Sequence, residues 1–396
     1  MNTSDKVRPG QPAYSGQFRL IETLLNRPAM LTLGIIAAAF LAGTLFLAVS
    51  GYNPRHMYTS IIRSILGVDP DRIGNASGNA FNARYIGEWL TVSIPLILTG
   101  LSMAFALKTG LWNIGAEGQY TVGVLTATLT AFFFPPVPVL HSFACVLFAV
   151  LAGGIWGGLI GWFKARFQIS EVVGTIMMNY IALFLLRIFV RLIPGTNTYR
   201  TPDFPATALL QAPWLKALTN RSELSYGLFW AILAVLFYFI IQEKTGFGLS
   251  LRITGHNQDG ARYAGLPVRR HITMSMFIAG TFAGLAGAVV ALGSFRYGRL
   301  LGAMDNYGFT GITVALVGQG ATMATVWAGL LFGALQSAQG SMQQKGIPAE
   351  IVQIMIGLVV IFIAFQSGMR LLLEKRKQTL KQRQHSGLEV SDPKSG

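Results

Sequence analysis

Thr245-Gly-Phe-Gly-Leu-Ser-Leu-Arg-Ile-Thr-Gly-His-Asn-Gln-Asp-Gly-Ala-Arg-Tyr-Ala-Gly-Leu-Pro-Val-Arg-Arg270 is a basic, glycine-punctuated stretch between two long apolar runs, 225–242 and 272–293. Each run approaches the roughly 20 apolar residues needed to cross ~30 Å of hydrocarbon. The stretch between them is therefore expected to leave a bilayer and return on the same side, as an ordered loop against which a partner could push. The rest of the chain agrees: 52% of its 396 residues are hydrophobic and 12% are charged, whereas soluble domains carry about 25% charged residues. The expected fold class is an all-α polytopic membrane protein.

Ten runs at 30–50, 88–107, 117–134, 139–162, 171–193, 225–242, 272–293, 309–323, 325–342 and 350–367 are candidate spans, the eighth short and glycine-rich. The positive-inside rule orients them. With both termini cytoplasmic, 19 of the 31 Lys and Arg fall inside, among them those of 1–29, of the loop 243–271 and of the tail after 369. This divides the chain into a cytoplasmic N-terminal segment 1–29 with an uncleaved anchor, a membrane domain 30–368 and a basic tail 369–396 expected to be disordered on anionic lipid. The net charge of +15 orients a membrane protein, and no basic, aromatic-interleaved soluble module argues for nucleic acid. The single Cys145 lies in an apolar run and permits no intrachain disulfide.

Three segments place polar residues where hydrocarbon is expected. In Lys108-Thr-Gly-Leu-Trp-Asn-Ile-Gly-Ala-Glu-Gly-Gln-Tyr120, Asn113, Glu117 and Gln119 sit among glycines where the apolar pattern breaks. Broken helices at membrane depth face protein or water, and a central carboxylate costs about 2.5–3.5 kcal/mol even on the lenient scale. The segment is a candidate pathway lining; an interfacial turn is the alternative. In Glu171-Val-Val-Gly-Thr-Ile-Met-Met-Asn-Tyr180, Glu171, Thr175 and Asn179 fall at i, i+4 and i+8. They form an inward polar face that could bind a solute or glue helices, with Glu171 as a cap or hinge. The third, Asn306-Tyr-Gly-Phe-Thr-Gly-Ile-Thr-Val-Ala-Leu-Val-Gly-Gln-Gly-Ala321, is polar at Thr313 and Gln319, and its Gly308 and Ile312 match Gly110 and Ile114 in spacing. Broken segments in corresponding places of two halves suggest an inverted repeat of spans two to five and seven to ten around a midplane site.

Gly153, Gly154, Gly157, Gly158 and Gly161, with Gly280, Gly284 and Gly287, give the small-residue spacing that lets membrane helices approach closely. No phosphate loop is present, the five histidines lack metal-ligand spacing, and no nucleophile–base arrangement stands out. A catalytic or metal-binding role is therefore not expected. A gradient-driven carrier using Glu117 as its ion site remains an alternative on the residues alone.

Gly110-Leu-Trp-Asn-Ile-Gly-Ala-Glu-Gly-Gln119, Glu171-Val-Val-Gly-Thr-Ile-Met-Met-Asn-Tyr180, Gly255-His-Asn-Gln-Asp-Gly-Ala-Arg-Tyr-Ala-Gly-Leu266 and Gly308-Phe-Thr-Gly-Ile-Thr-Val-Ala-Leu-Val-Gly318 resemble the permease subunits of bacterial ABC importers. The likeness is to the nucleoside and simple-sugar branch of the ribose and branched-chain amino-acid permeases, and it covers about 30–368. Ile312-Thr-Val-Ala-Leu-Val-Gly318, followed by Gln-Gly-Ala-Thr, departs from that branch's usual Ala-Val-Ala-Leu-Leu-Gly and nearby Pro, which bears on the substrate rather than the fold. The resemblance implies alternating access in the bacterial inner membrane. It also implies a separate ABC-type ATPase that holds ATP and Mg, a second permease subunit, a periplasmic or lipid-anchored substrate-binding protein, and no cofactor on this chain. Finally, it implies a coupling helix within 250–270, with Gly255 as its opening turn and Gly265 ending it. Asn257 would cap that helix, Ala261 and Tyr263 would contact the ATPase, and Arg262 would meet an acidic rim or lipid phosphate.

Overall fold

The computed structural model describes residues 28–73, 80–365, 368 and 372–379. The expected N-terminal segment 1–29 and basic tail 369–396 lie outside the described residues, except for 28, 29 and a helical stretch at 372–379. Two compact units are present, residues 53–352 and residues 1–52 with 353–396.

A helix lies over each of the ten apolar runs. They are α1 (Pro28–Val49), α3 (Ala83–Leu107), α4 (Ala116–Phe133), α5 (Leu140–Phe167), α6 (Glu171–Arg191), α8 (Gly227–Phe239), α11 (Val268–Val289), α12 (Tyr307–Val317), α13 (Thr322–Gln344) and α14 (Ala349–Ala364). Helices α8 and α11 run on into π-helical turns at Ile240–Lys244 and Val290–Ser294. Five of these segments are long and apolar enough to cross a membrane by length and composition: Ala83–Leu107, Leu140–Phe167, Glu171–Arg191, Gly227–Lys244 and Val268–Ser294. Between them lie α2 (Arg55–Leu66), α7 (Pro213–Leu218), α9 (Gly246–His256) and α10 (Gln258–Tyr263). A two-stranded antiparallel sheet joins β1 (Arg200–Asp203) to β2 (Tyr297–Arg299). The prolines at 202, 205 and 213 keep this region out of regular helix except for α7, which carries Pro213 in its first turn.

Helix α11 is the centre of the larger unit, and at several glycines it meets α4 and α5 main chain against main chain. A Cβ on Gly153 would lie 2.6 Å from the Gly280 carbonyl oxygen and 2.7 Å from Gly284 Cα, and one on Gly287 would lie 2.7 Å from Val124 N. The small-residue spacing thus serves close backbone contact, where van der Waals contact replaces the hydrophobic drive that is absent between helices in lipid. Helix α6 buries one stripe, Thr175, Asn179, Ala182, Leu183, Leu186 and Val190. Its other side exposes Val173, Met177, Tyr180 and Phe184.

The larger unit has two distinct ends. One gathers the α3 terminus at Lys108–Gly110, the α5–α6 turn, the 240–268 region and Gly320; Lys164 pairs with Glu171 at 2.6 Å, and Tyr238 donates to the Gly320 carbonyl at 2.9 Å. The opposite end holds the β1–β2 sheet and the start of α5, where His141 Nδ1 bonds the Thr207 hydroxyl at 2.8 Å.

Candidate functional site

The stretch 108–115 is not helical, and α4 begins only at Ala116. Helix α12 begins at Tyr307 and lasts 11 residues, about 16 Å at ~1.5 Å per residue. The first turns of the two helices meet inside the larger unit. A methyl on Gly308 would collide with the backbone N and Cα of Glu117, so glycine is required for this approach. From there α4 runs toward the α5 start and α12 toward Gly320, in opposite directions.

Glu117 joins the two helix starts. Its side chain is fully buried. One carboxylate oxygen accepts from the Asn306 N–H at 2.9 Å and the other from the Gly308 N–H at 2.6 Å. First-turn N–H groups have no partner within their own helix, and the positive end of the helix dipole favours an acidic acceptor. A second polar group surrounds Asn113 and Gln119, both fully buried. Asn113 Nδ2 donates to Gln119 Oε1 at 2.9 Å, Gln119 Nε2 donates to Asn113 Oδ1 at 2.9 Å, and Asn113 Nδ2 also reaches the Ser102 hydroxyl at 3.0 Å. Asn179 ties α6 to this break: its Oδ1 accepts from Gly118 N–H at 2.7 Å and its Nδ2 donates to the Ile114 carbonyl at 3.1 Å. Thr175 is buried, with its methyl carbon 2.9 Å from where a Cβ on Gly115 would stand, and its hydroxyl bonds the Val172 carbonyl.

Asn113, Glu117, Gln119, Thr175 and Asn179 are thus brought together. Thr313 is half-buried on α12, and Gln319 is exposed in the turn between α12 and α13 with φ of 50°, apart from the others. Residues that the sequence did not single out complete the site. Tyr120 donates to Asp305 at 2.7 Å, and Arg299 pairs with the same carboxylate at 2.5 Å. The Tyr120 and Tyr307 rings lie 5.4 Å apart. Burial works against the Arg299 charge, but Asp305 outweighs it and holds the guanidinium above its ordinary value. Adjacency is the one sequence signal for these residues: Tyr120 ends the first broken stretch and Asp305 precedes the third.

The 245–270 stretch is more helical than its glycines suggest. Thr245 caps α9 by accepting the Gly248 N–H at 3.1 Å, and Asn257 caps α10 by accepting the Gly260 N–H at 2.9 Å. Gly265 takes φ of 78° just after α10. Tyr263 is 97% exposed, and Arg262, Arg269 and Arg270 are exposed beside it. Ala261 is a correction: it is 1% exposed and belongs to the buried core, so its methyl anchors α10 to the bundle instead of being offered to a partner. Gly255, at the end of α9, touches the break directly. A Cβ there would meet the Lys108 carbonyl and lie 2.7 Å from Thr109 C and 2.8 Å from Gly110 N. Nearby, the Thr109 and Ser275 hydroxyls share a hydrogen bond of 2.8 Å. Among the described residues no group of three or more His, Cys, Asp or Glu could hold a metal ion.

Comparison with known proteins places this architecture. Residues 85–364 match the family model described as branched-chain amino acid transport system / permease component. The guanosine ABC transporter permease protein NupP of Bacillus subtilis is 37% identical over 85% of this chain and 93% of its own length. The nucleoside ABC transporter permease protein NupB of Lactococcus lactis is 34% identical over 89% of this chain and 95% of its own. A glucose ABC transporter permease protein of Haloferax volcanii is 30% identical over 75% of this chain and 81% of its own. A multi-pass helical chain with a broken, polar-lined centre and an exposed basic loop, matched by these relatives over 75–89% of its length, belongs to the permease-component family of the ABC transport systems and is a transport subunit, not an enzyme.

Proposed function

We propose that this chain carries nucleosides inward across a bacterial inner membrane, as one permease of an ATP-driven importer. The observation that carries the mechanism is the contact of Gly255 with Lys108–Gly110, main chain against main chain. It joins the exposed surface of α9 and α10 to the polar break in one step. In this reading the end bearing Arg262, Tyr263, Arg269 and Arg270 is cytoplasmic, as are both chain termini, and it receives an ABC-type ATPase that holds the ATP and Mg. The opposite end, with the β1–β2 sheet, receives a substrate-binding protein, and a second permease subunit completes the pathway. The ten helices over the apolar runs are the spans, and the opposed starts of α4 and α12 support the inverted-repeat reading.

In the state described, the polar atoms of Asn113, Gln119, Glu117 and Asn179 bond to protein. Closed in this way, each of these side chains is engaged by protein and not presented to a solute. Movement of α9 and α10 on ATP binding would displace 108–110, part the Asn113–Gln119 pair and expose those amides to a hydroxylated heterocycle. Thr175, Thr313 and Gln319 would meet the solute only along such an opened path. Nucleosides are preferred because the two relatives covering most of this chain are named for guanosine and for nucleosides.

Uptake of radiolabelled guanosine by cells with and without this chain tests the proposal. Deletion should abolish high-affinity uptake, and the intact gene should restore it. Unchanged guanosine uptake together with lost glucose uptake would move the substrate to simple sugars. Transport by vesicles holding this chain alone, with no ATPase, would overturn the ATP-driven mechanism.

A further inference from the structure

A lateral groove lies away from the polar break, between α3, α8 and α13. Its cavity is about 500 Å³, with walls that include Leu90, Ile97, Ile232, Val235, Phe239 and Val326. Ser93 also faces it, but its hydroxyl is committed to the Trp89 carbonyl at 2.7 Å. A sugar or nucleoside there would leave its hydroxyls unpaired, at a cost that apolar walls cannot offset. From Leu228 to Phe239 the groove follows α8 for about 16 Å at ~1.5 Å per residue, roughly half of the ~30 Å hydrocarbon thickness. That length fits one leaflet. An extended hydrocarbon chain of one leaflet matches the length and the apolar walls of this slot.

The end of the slot carries charge. Phe239 lines the slot, and Lys244 Nζ lies 5.3 Å from the centre of its ring. Lys244 is exposed and forms no ion pair among the described residues. The adjacent Glu243 carboxylate is held by the Thr322 hydroxyl at 2.8 Å, while Arg252 donates to the Gln242 carbonyl. A basic side chain just past the hydrophobic slot is where a phosphate of the same leaflet would lie. Ile232 and Leu236 of α8 are exposed, so the slot opens onto the apolar outer face of α8.

We infer that the groove is a binding site for one anionic glycerophospholipid, with an acyl chain between α8 and α13 and its phosphate at Lys244. The lipid fills the space between α8 and the helices beside it. This inference rests on the membrane setting of the chain and not on which solute it carries.

The test uses the full transporter complex in phosphatidylcholine vesicles doped with phosphatidylglycerol that bears a photoreactive acyl chain. After irradiation, adducts are mapped by proteolysis and mass spectrometry. They should concentrate on Val235, Ile97 and Val326 relative to the exposed face of α6 at Val173, Met177 and Phe184. Val326→Trp, which fills the slot, should lower the groove adducts several-fold and leave those on α6 unchanged. Lys244→Gln, at an exposed site with little bearing on folding, should reduce phosphatidylglycerol adducts to the level given by a phosphatidylcholine probe. Equal labelling of α6 and the groove, unaffected by Val326→Trp, would overturn the site. Labelling that favours phosphatidylglycerol as strongly in Lys244→Gln as in the parent would overturn the headgroup assignment.

Discussion

Replacing Glu117 by Gln tests whether one carboxylate holds two helix starts together. The side chain keeps its size, but one oxygen becomes an NH₂ that faces a backbone donor. Of the bonds to Asn306 N–H and Gly308 N–H, one is therefore lost and replaced by two opposed donors. A hydrogen bond to a charged group contributes about 1.5–3 kcal/mol, and a buried donor left unpaired costs about 1–3 kcal/mol. Some of this returns through relaxation, so a net loss of roughly 2 kcal/mol is expected, corresponding to about a 30-fold rise in the local opening equilibrium of the α12 start. Hydrogen exchange with mass spectrometry on a peptide covering 305–310 reads that opening directly. The Asn306 and Gly308 amides should lose protection by about that factor, while α5 and α11 exchange as in the parent. Glu117→Ala should be at least as severe. Protection of 305–310 unchanged in both variants would refute the capping role and return Glu117 to the candidates for an ion site.

Three further outcomes are expected. Gly255→Val forces a branched side chain against Lys108–Gly110, and overpacking of this kind costs roughly 1–3 kcal/mol; ATP-driven uptake should collapse while the ATPase still co-purifies. Arg262→Ala with Tyr263→Ala alters exposed side chains and should shift stability by only about 0.5 kcal/mol, yet the ATPase should be lost on affinity purification. Asn113→Ala removes the acceptor of the Gln119 Nε2 amide in a buried site, a cost of about 1–3 kcal/mol that should lower the melting temperature of the purified complex. Adding Gln119→Leu should recover part of that loss, as a double-mutant cycle on a paired interaction requires.

The helices were legible because lipid imposes a simple requirement on apolar runs: each run carries a helix that differs from it by a few residues at its ends, and five of these segments are long and apolar enough to cross a membrane. The glycines of α5 and α11 were equally readable, since spacing alone specifies close approach. Local capping was legible too: Asn257 sits one residue before α10, where its short side chain can reach forward to accept the Gly260 N–H. What the sequence hid is either long-range or too short to show periodicity. Glu117 and Gly308 are 191 positions apart, and nothing local to either names the other as partner. Six residues of α10 contain too few turns to tell an inward face from an outward one, which is why Ala261 and Tyr263 could not be separated by pattern. Helix α9 was obscured by Gly246 and Gly248, residues that usually weaken a helix. Here Gly248 permits close packing on the preceding π-helical turn, where a Cβ would stand 2.8 Å from Gln242 Cα.

The glycine pair at 110 and 255 also bears on how little movement the machine needs. Most joints between protein segments run through side chains, and a small displacement at one face can be lost when a side chain changes rotamer. At Gly110 and Gly255 there is no side chain to turn, so α9 cannot advance on the break without the break moving by the same amount. In the importer proposed above, motion delivered to α9 would then act on the main chain at Lys108–Gly110 without first passing through a side chain.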